Sequence, residues 1–372
     1  MSLKDIFCQD KAVSLLQRAF CAGRVPHAYI FAGPDGVGKF KTALEWGRLL
    51  LCKDPSLRDG VETADSCGTC ESCRAVEGNS HPDFNLVYKE LLEFTKDGKD
   101  KKTPVDLPIA VIREFLVEKV CTRPTLSQRK VYIVSEAEKL NTASQNSLLK
   151  VLEEPPGYCC IILLCTRLDR LLPTTRSRCQ IVRFGPVDEE RIFERLSQMG
   201  LGRDQAVYFS RLSQGSLGQA CRWAELELAD TGLYAVKTNL LDAVAELKFE
   251  NVPDVAAGFL DKSKAIAEAW SELDKDTSKK DIDRMASKSL VGMVIAALHD
   301  AMKLDVKPEN EAVNFDQKKR IEELAGRFAV QELAAKISDC YEILRWIEAG
   351  VNEKLVFEQL LFNLAESDRM SV

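Results

Sequence analysis

The feature that most constrains this chain is the segment Gly33-Pro34-Asp35-Gly36-Val37-Gly38-Lys39, which fits the pattern G-x-x-x-x-G-K. A short apolar run at 28–32 predicts a strand before it, and a helix-forming stretch follows to residue 51. In this order of strand, loop and helix, the glycines turn backbone N–H groups toward a phosphate chain, and the lysine reaches the terminal phosphates. The alternative is a glycine-rich turn that holds no ligand. The candidate nucleotide-binding residues are Gly33, Gly36, Gly38 and Lys39.

Further apolar runs at 84–88, 130–134, 160–165 and 180–184 alternate with helix-like stretches at 109–120 and 141–154. Strands that alternate with helices predict a parallel sheet, and therefore an α/β fold for residues 1–185. After Pro186 the strand signals stop. Three short helices are predicted over 186–227, and an all-helical domain over 228–372. The apolar stripe predicted to lie in the core of that domain includes Leu324, Phe328, Leu333, Ile337, Tyr341, Leu344 and Ile347.

Two magnesium ligands of a working phosphate loop are missing. The position after the loop lysine should be Ser or Thr, and it is Phe40. Thr42 is a poor substitute because two residues at about 100° each carry its hydroxyl to the far side of the helix. The acidic ligand expected after the strand at 130–134 is replaced by Ser135, and only Glu136 remains where a water-activating carboxylate would sit. The loss of both ligands predicts an inactive or very weak ATPase.

The chain has thirteen cysteines, and its first residues, MSLKDIFCQD, show no export or organelle signal. We therefore expect a reducing cytoplasmic location, in which thiols bind metals more readily than they form disulfides. Cys67, Cys70 and Cys73 follow one another at two-residue spacing, with Cys52 upstream. This pattern predicts a structural Zn²⁺ in a knuckle over residues 52–73, with no open coordination position for catalysis. An iron–sulfur cluster and a set of ordinary buried thiols are the alternatives.

Charge and hydropathy exclude some partners and leave others open. No apolar run approaches the roughly 20 residues that a membrane span needs, so no membrane partner is expected. The formal charge is −6, so contact with nucleic acid must depend on a local patch or on a larger assembly. The charged run at 96–102 is expected to be a solvated loop tip. Arg176 and Arg178, beside the strand at 180–184, could be solvated or could pair with neighbouring carboxylates.

Several motifs together resemble the bacterial clamp-loader ATPases, which are AAA+ subunits of the DNA polymerase III holoenzyme. They are His27-Ala28-Tyr29, the cysteine cluster, Asn146-Ser147-Leu148-Leu149-Lys150-Val151-Leu152-Glu153-Glu154-Pro155-Pro156, and Ser177-Arg178-Cys179, in that order. The resemblance covers about residues 5–225. Active relatives have an arginine two positions after a Gly-Ser pair, whereas this chain has Gly215-Ser216-Leu217-Gly218. With Phe40 and Ser135, this departure resembles the delta-prime class of subunit rather than the ATP-hydrolysing gamma/tau class.

The resemblance implies an AAA+ core at 1–185 with the inserted zinc knuckle, a helical lid at 186–227 and a helical collar at 228–372. It implies a pentameric ring with gamma/tau and delta subunits, which loads the sliding clamp onto primed DNA at the cytoplasmic, nucleoid-associated replisome. Arg178 would act in trans as an arginine finger in a neighbouring ATP site, and Glu136 would be vestigial. The chain would then belong to a polymerase complex without being an ATPase itself. An active gamma/tau-type ATPase and a zinc-containing DNA-binding regulator remain alternatives, and binding of ATP or ADP is left open.

Overall fold

The computed structural model describes residues 2–57, 63–96, 106–275, 277–304 and 311–365. Of the charged run predicted to be a loop tip, only Lys96 lies among these residues. The chain forms two compact units, Met1–Asp188 and Glu189–Val372.

The first unit contains a five-stranded parallel sheet, which confirms the α/β class predicted from the sequence. The sheet has the order β4-β5-β6-β1-β7, so the strand that leads into the glycine loop lies between β6 and β7. Strands β2 and β3 form a separate antiparallel pair. The strands are β1 (Ala28–Ala32), β2 (Ser56–Leu57), β3 (Ala64–Asp65), β4 (Phe84–Val87), β5 (Lys130–Val134), β6 (Cys159–Cys165) and β7 (Gln180–Arg183).

Helices cover both faces of this sheet, so the central strands are buried on both sides and read as continuous apolar runs. Between α4 and α5 the chain makes a π-helical turn, Arg113–Val117, within the stretch predicted as one helix. The helices of the first unit are α1 (Asp10–Cys21), α2 (Lys39–Leu51), α3 (Glu71–Glu77), α4 (Ile109–Ile112), α5 (Glu118–Val120), α6 (Thr142–Glu153) and α7 (Pro173–Arg176).

Alternate residues of β1 contribute to two apolar clusters. Tyr29 packs with Leu16 of α1 and Trp46 of α2 on one face of the sheet. Ile30 packs on the other face, in a cluster that includes Leu148 of α6. Because β1, β5 and β6 run parallel, their carboxyl ends meet at one edge, where ligands bind in open α/β sheets. The fold therefore brings the glycine loop, the residues after β5 and the residues after β6 together.

The second unit is helical throughout its described part. No helix among the described residues is long and apolar enough to span a membrane. The division of this unit into a lid and a collar stays a prediction. Its helices are α8 (Glu189–Gln198), α9 (Arg203–Leu212), α10 (Leu217–Leu228), α11 (Leu233–Ala245), α12 (Val252–Leu273), α13 (Lys279–Met302), α14 (Lys318–Arg327), α15 (Val330–Ala349) and α16 (Glu353–Ala365).

The predicted apolar stripe is buried except at two positions of α15, Tyr341 and the half-buried Leu344. Ile337 and Ile347 are buried, together with most of the stripe, whereas Tyr341 is 45% exposed. The buried face of α15 includes instead Cys340, one residue before Tyr341, and Ile343, two residues after it.

A buried carboxylate fixes the loop that leads into β5. Asp83 is fully buried, and its oxygens accept hydrogen bonds from the backbone N–H groups of Thr125 (2.7 Å), Leu126 (2.7 Å) and Ser127 (2.9 Å). Burial raises the pKa of Asp83, but these three donors outweigh it and the pKa lies below its usual value. The charged carboxylate therefore stabilises the folded first unit.

The variant Asp83→Asn should lower the free energy of unfolding of the first unit by about 2 kcal/mol at pH 7, because an amide offers one acceptor oxygen and no charge. The folded-state pKa is depressed, so this stabilisation is present above the unfolded-state pKa of about 4 and is lost as the pH falls below it. Urea unfolding at pH 7 and at about pH 3 measures the difference, with exposed Asp169→Asn as control. A difference from wild type that does not narrow at acid pH would contradict this account.

Candidate functional site

The glycine loop has the backbone conformation that a phosphate loop needs. Gly36 and Gly38 have φ angles of 71° and 100°, in the left-handed region that favours glycine. Gly33 is required for a different reason: a Cβ atom there would lie 2.4 Å from the backbone oxygen of Phe184, directly after β7. The Gly33 N–H group donates to the Cys165 carbonyl at the end of β6 (3.1 Å). The first glycine of the loop therefore forms a hydrogen bond with the end of β6 and packs closely against the residue that follows β7.

Lys39, the first residue of α2, closes this loop onto itself. Its side chain is 7% exposed, and its ammonium donates to the backbone carbonyls of Gly33 (2.8 Å) and Pro34 (2.5 Å). Burial lowers the pKa of Lys39, partly offset by the negative charges of Asp35 and Glu138. The lysine predicted to bind phosphates therefore lies in the loop and contacts loop carbonyls.

The side chains at the two positions expected to bind magnesium are those of Phe40 and Ser135. Phe40 is 44% exposed and carries no oxygen. Thr42 is fully buried, and its hydroxyl donates to the Gly38 carbonyl one helical turn back (2.8 Å). Ser135 follows β5 at the same edge of the sheet, and its backbone N–H group donates to the Val87 carbonyl (2.9 Å). The hydroxyl of Thr42 thus faces its own helix, as the helical geometry predicts.

Glu136, the candidate water-activating carboxylate, is bound by two ammonium groups. One oxygen lies 3.7 Å from the Nζ atom of Lys89, and the other contacts Lys139. The side chain of Lys89 is 6% exposed, so this ion pair is partly shielded from water. Each oxygen of this carboxylate therefore has a lysine partner. Lys139 lies three positions after Glu136, so the sequence alone indicates that pair. Lys89 lies more than 40 residues before β5, so its contact with Glu136 depends on the fold.

Sequence analysis missed a second carboxylate at this edge. Glu138 accepts hydrogen bonds from the Thr166 backbone N–H group (3.2 Å) and hydroxyl (2.6 Å). Thr166 is the first residue after β6, which pairs directly with β1. The signal available was topological: polar residues that follow neighbouring parallel strands lie near one another.

The four predicted metal-binding cysteines come together. The Sγ atom of Cys52 lies 3.5 Å from that of Cys67 and 4.0 Å from that of Cys70, and the Sγ atoms of Cys67 and Cys73 are 3.9 Å apart. All four sulfur atoms lie within 4.8 Å of one another. Four thiolates at about 2.3 Å from one tetrahedral ion lie about 3.8 Å apart. The group can therefore hold a single metal ion.

Backbone N–H groups of the knuckle point at its sulfur atoms. The N–H groups of Cys67, Cys70 and Cys73 donate to the Sγ atoms of Cys52, Cys67 and Cys70 at 3.3–3.4 Å. Burial raises the pKa of the Cys67 thiol, but donors from Thr69 and Cys70 outweigh it and bring the pKa to about 6. Burial raises the pKa of Cys52 to about 12. A metal ion that displaces the shared protons would satisfy all four sulfurs.

Polar side chains connect the knuckle to α2 and to His81. Ser72, in α3, donates to the Leu51 carbonyl at the end of α2 (2.7 Å) and contacts the Nε2 atom of buried His81 (2.8 Å). Arg48, in α2, forms a hydrogen bond with Cys73 and has Glu45 and Glu77 as ion-pair partners. Its positive charge offsets part of the negative charge of a thiolate cluster.

Arg178 lies just after α7, in the turn that leads into β7. Its side chain is 34% exposed. One terminal nitrogen contacts Glu153 at 2.8 Å, and the other donates to the Thr174 carbonyl at 3.0 Å. Of the two possibilities open from the sequence, the structure thus has the arginine paired with a neighbouring carboxylate while part of the guanidinium stays accessible.

The family models and the curated relatives that match this chain are subunits of DNA polymerase III. The model "DNA polymerase III, delta subunit" matches residues 8–188, and "DNA polymerase III, delta subunit, C terminal" matches residues 277–366. The DNA polymerase III subunit delta' of Bacillus subtilis is 25% identical over 362 residues, 96% of each chain. The gamma/tau subunit of Mycobacterium tuberculosis is 34% identical over 211 residues, which cover 56% of this chain and 33% of that protein. A crystal structure of a gamma subunit-related protein from Thermotoga maritima has a TM-score of 0.42 and 16% identity, with 95% of this chain and 98% of that chain covered.

The knuckle geometry predicts one thiolate-bound metal ion per chain. Titration of the metal-free protein with Co²⁺ should saturate at one equivalent, with the sulfur-to-cobalt absorption of a tetrahedral site. The variant Cys73→Ser should weaken binding at least about tenfold because one strong ligand is lost. Exposed Cys121→Ser, outside the knuckle, is the control. Metal removal should also speed hydrogen exchange in α3. Equal binding by the two variants would contradict this assignment.

Proposed function

We propose that this chain, which belongs to the clamp-loader subunits of bacterial DNA polymerase III, is a delta-prime-like subunit. In this role it supplies Arg178 in trans to a neighbouring ATP site. It has no effective ATPase site of its own. The observation that carries this proposal is the contrast between two sites in one unit. Arg178 is held by two contacts and is 34% exposed, whereas Phe40 and Ser135 occupy the two magnesium-ligand positions of the glycine loop and Glu136 is paired with two lysines.

An arginine finger must reach another subunit without losing its orientation. The side chain of Arg178 is 34% exposed, and its contacts with Glu153 and the Thr174 carbonyl use two of the five guanidinium donors, which leaves N–H groups for an external acceptor. A guanidinium stabilises the negative charge that develops on a transferred phosphoryl group and contributes about 10³–10⁵ in rate in well-studied hydrolases. Arg178 is therefore the residue through which this chain would contribute to catalysis.

Three departures support the absence of hydrolysis at the chain's own loop. Phe40 and Ser135 remove both magnesium ligands, and Glu136 is bound by Lys89 and Lys139. In the second unit, Gly218 occupies the second position of α10, where active relatives have a nucleotide-sensing arginine. The glycine loop keeps its shape, so binding of ATP or ADP without hydrolysis is compatible with it. Glu136 is then a vestigial catalytic residue.

Zn²⁺ is the ion that the four-cysteine group fits best. Four thiolates and a tetrahedral arrangement are typical of structural zinc. An iron–sulfur cluster places several iron and sulfide ions between the cysteines and would hold the thiolates farther apart than the 4.8 Å limit observed. Cys52, Cys67, Cys70 and Cys73 would bind the ion and join α2 to α3. With four protein ligands, its contribution would be to stability and not to catalysis.

The partners follow from membership in the family. We propose a ring with gamma/tau and delta subunits, in which the second unit supplies the collar and the ring loads the sliding clamp onto primed DNA in the cytoplasm. The 34% identity to a gamma/tau subunit favours one second candidate, an active gamma/tau-type ATPase. The two candidates differ in where hydrolysis occurs: at this chain's loop, or only at a neighbour's site that needs Arg178.

In a ring reconstituted with gamma/tau and delta subunits, Arg178→Ala should abolish fast hydrolysis at one site. One arginine finger acts at one ATP site, so the amplitude of the fast phase of single-turnover hydrolysis should fall by the contribution of one site. The hydrolysis rate at that site should fall by a factor of about 10³ or more. Quenched-flow measurement with clamp and primed DNA tests this expectation.

Arg176→Ala is the matched control, because Arg176 is the last residue of α7 and lies two positions before Arg178. Size-exclusion chromatography should show intact rings with both variants. An unchanged fast phase in an assembled Arg178→Ala ring would contradict the role in trans.

A further inference from the structure

The partner of Arg178 lies at an electrostatically unfavourable place. Glu153 is the last residue of α6, and a carboxylate at a helix C-terminus faces the negative end of the helix dipole. A cation beside it removes this penalty. The Arg178 guanidinium, 2.8 Å away, is that cation.

Two acceptors from different elements fix the plane of the guanidinium. Glu153 in α6 binds one terminal nitrogen, and the Thr174 carbonyl in α7 accepts from the other at 3.0 Å. Contacts at both terminal nitrogens restrict rotation about the last side-chain bonds, since the guanidinium is planar. The two contacts use two of the five guanidinium N–H groups and leave three for another acceptor.

The carboxylate is itself held by a well-anchored helix. Val151 and Leu152, next to Glu153, are buried in the core under the sheet. Gln145 of α6 accepts a hydrogen bond from the Leu172 backbone N–H group, just before α7, at 2.8 Å. Helices α6 and α7 are therefore connected independently of the ion pair, and loss of the ion pair alone should leave them in place.

We infer that Glu153 is a positioning residue for Arg178: it holds the guanidinium in the orientation in which the remaining N–H groups face a neighbouring subunit's phosphates. This inference rests on the proposed role of Arg178 in trans. An ion pair with partly exposed partners favours one geometry only about fivefold, so Glu153 should tune the rate that Arg178 provides, far less than the finger itself.

The contact can be tested in the isolated full-length chain. In protein labelled with ¹⁵N-arginine, the Arg178 Nε–Hε signal is assigned by its loss in Arg178→Lys. Glu153→Gln should shift this signal and speed exchange of the guanidinium protons. Glu154→Gln is the matched control, because Glu154 is the adjacent residue and lies outside the helix. A signal that is the same in wild type and Glu153→Gln would overturn the inference.

The positioning role is tested in the reconstituted ring. Glu153→Ala should slow the affected fast phase about fivefold, with the ATP concentration for half-maximal rate unchanged, and Glu153→Asp should restore part of the rate. Added to Arg178→Ala, Glu153→Ala should have no further effect, because a positioning residue acts only through the residue that it positions.

The outcomes separate the two proposals. If Arg178→Ala removes the fast phase while Glu153→Ala matches wild type, the positioning inference is wrong and the role of Arg178 stands. If Arg178→Ala itself has no effect in an assembled ring, the role in trans is wrong, and the positioning role is overturned with it, whatever the arginine signal shows. A further loss of rate in the double variant would show that Glu153 acts by another route.

Discussion

The parallel pairing of β1 with β6 and β7 determines where the glycine loop and the turn that holds Arg178 lie. It places the glycine loop at the carboxyl edge beside Thr166, and it brings Phe184 against Gly33. The same sheet carries Ser135 and Glu136 at the end of β5. The turn that enters β7 from the opposite edge holds Arg178. A single sheet thus provides the degenerate loop and the exposed arginine from opposite ends of its strands.

The glycine loop keeps its pattern for reasons that do not require ATP hydrolysis. Gly33 cannot carry a side chain because the Phe184 carbonyl lies where the Cβ atom would be. Gly38 needs a left-handed backbone to begin α2, and Lys39 binds loop carbonyls. Packing alone therefore accounts for much of the G-x-x-x-x-G-K pattern. The catalytic question depends instead on residues outside it, above all Phe40 and Ser135.

The regular elements of the first unit could be predicted from the sequence because buried parallel strands are continuous apolar runs. Strands β1 and β5 and helix α2 have the predicted bounds, and the cysteine spacing predicted the four-thiol group. Contacts between distant residues could not be predicted. The pairs Glu136–Lys89, Glu138–Thr166 and Glu153–Arg178 depend on how the connections between strands fold. The exposure of Tyr341 was missed because Cys340 and Tyr341 lie three and four positions after Ile337, and both spacings continue a helical stripe.

The central claim is that this chain acts on a neighbour's ATP and not on its own. The most direct measurement is ATP turnover by a ring in which every gamma/tau subunit carries an inactivating substitution in its own phosphate-binding loop. Any turnover that remains then belongs to this chain. The account predicts no hydrolysis above background, because Phe40 and Ser135 occupy the positions at which an active phosphate loop has its magnesium ligands. Hydrolysis that is lost when Lys39 of this chain is replaced by Ala would contradict the account and favour an active gamma/tau-type ATPase.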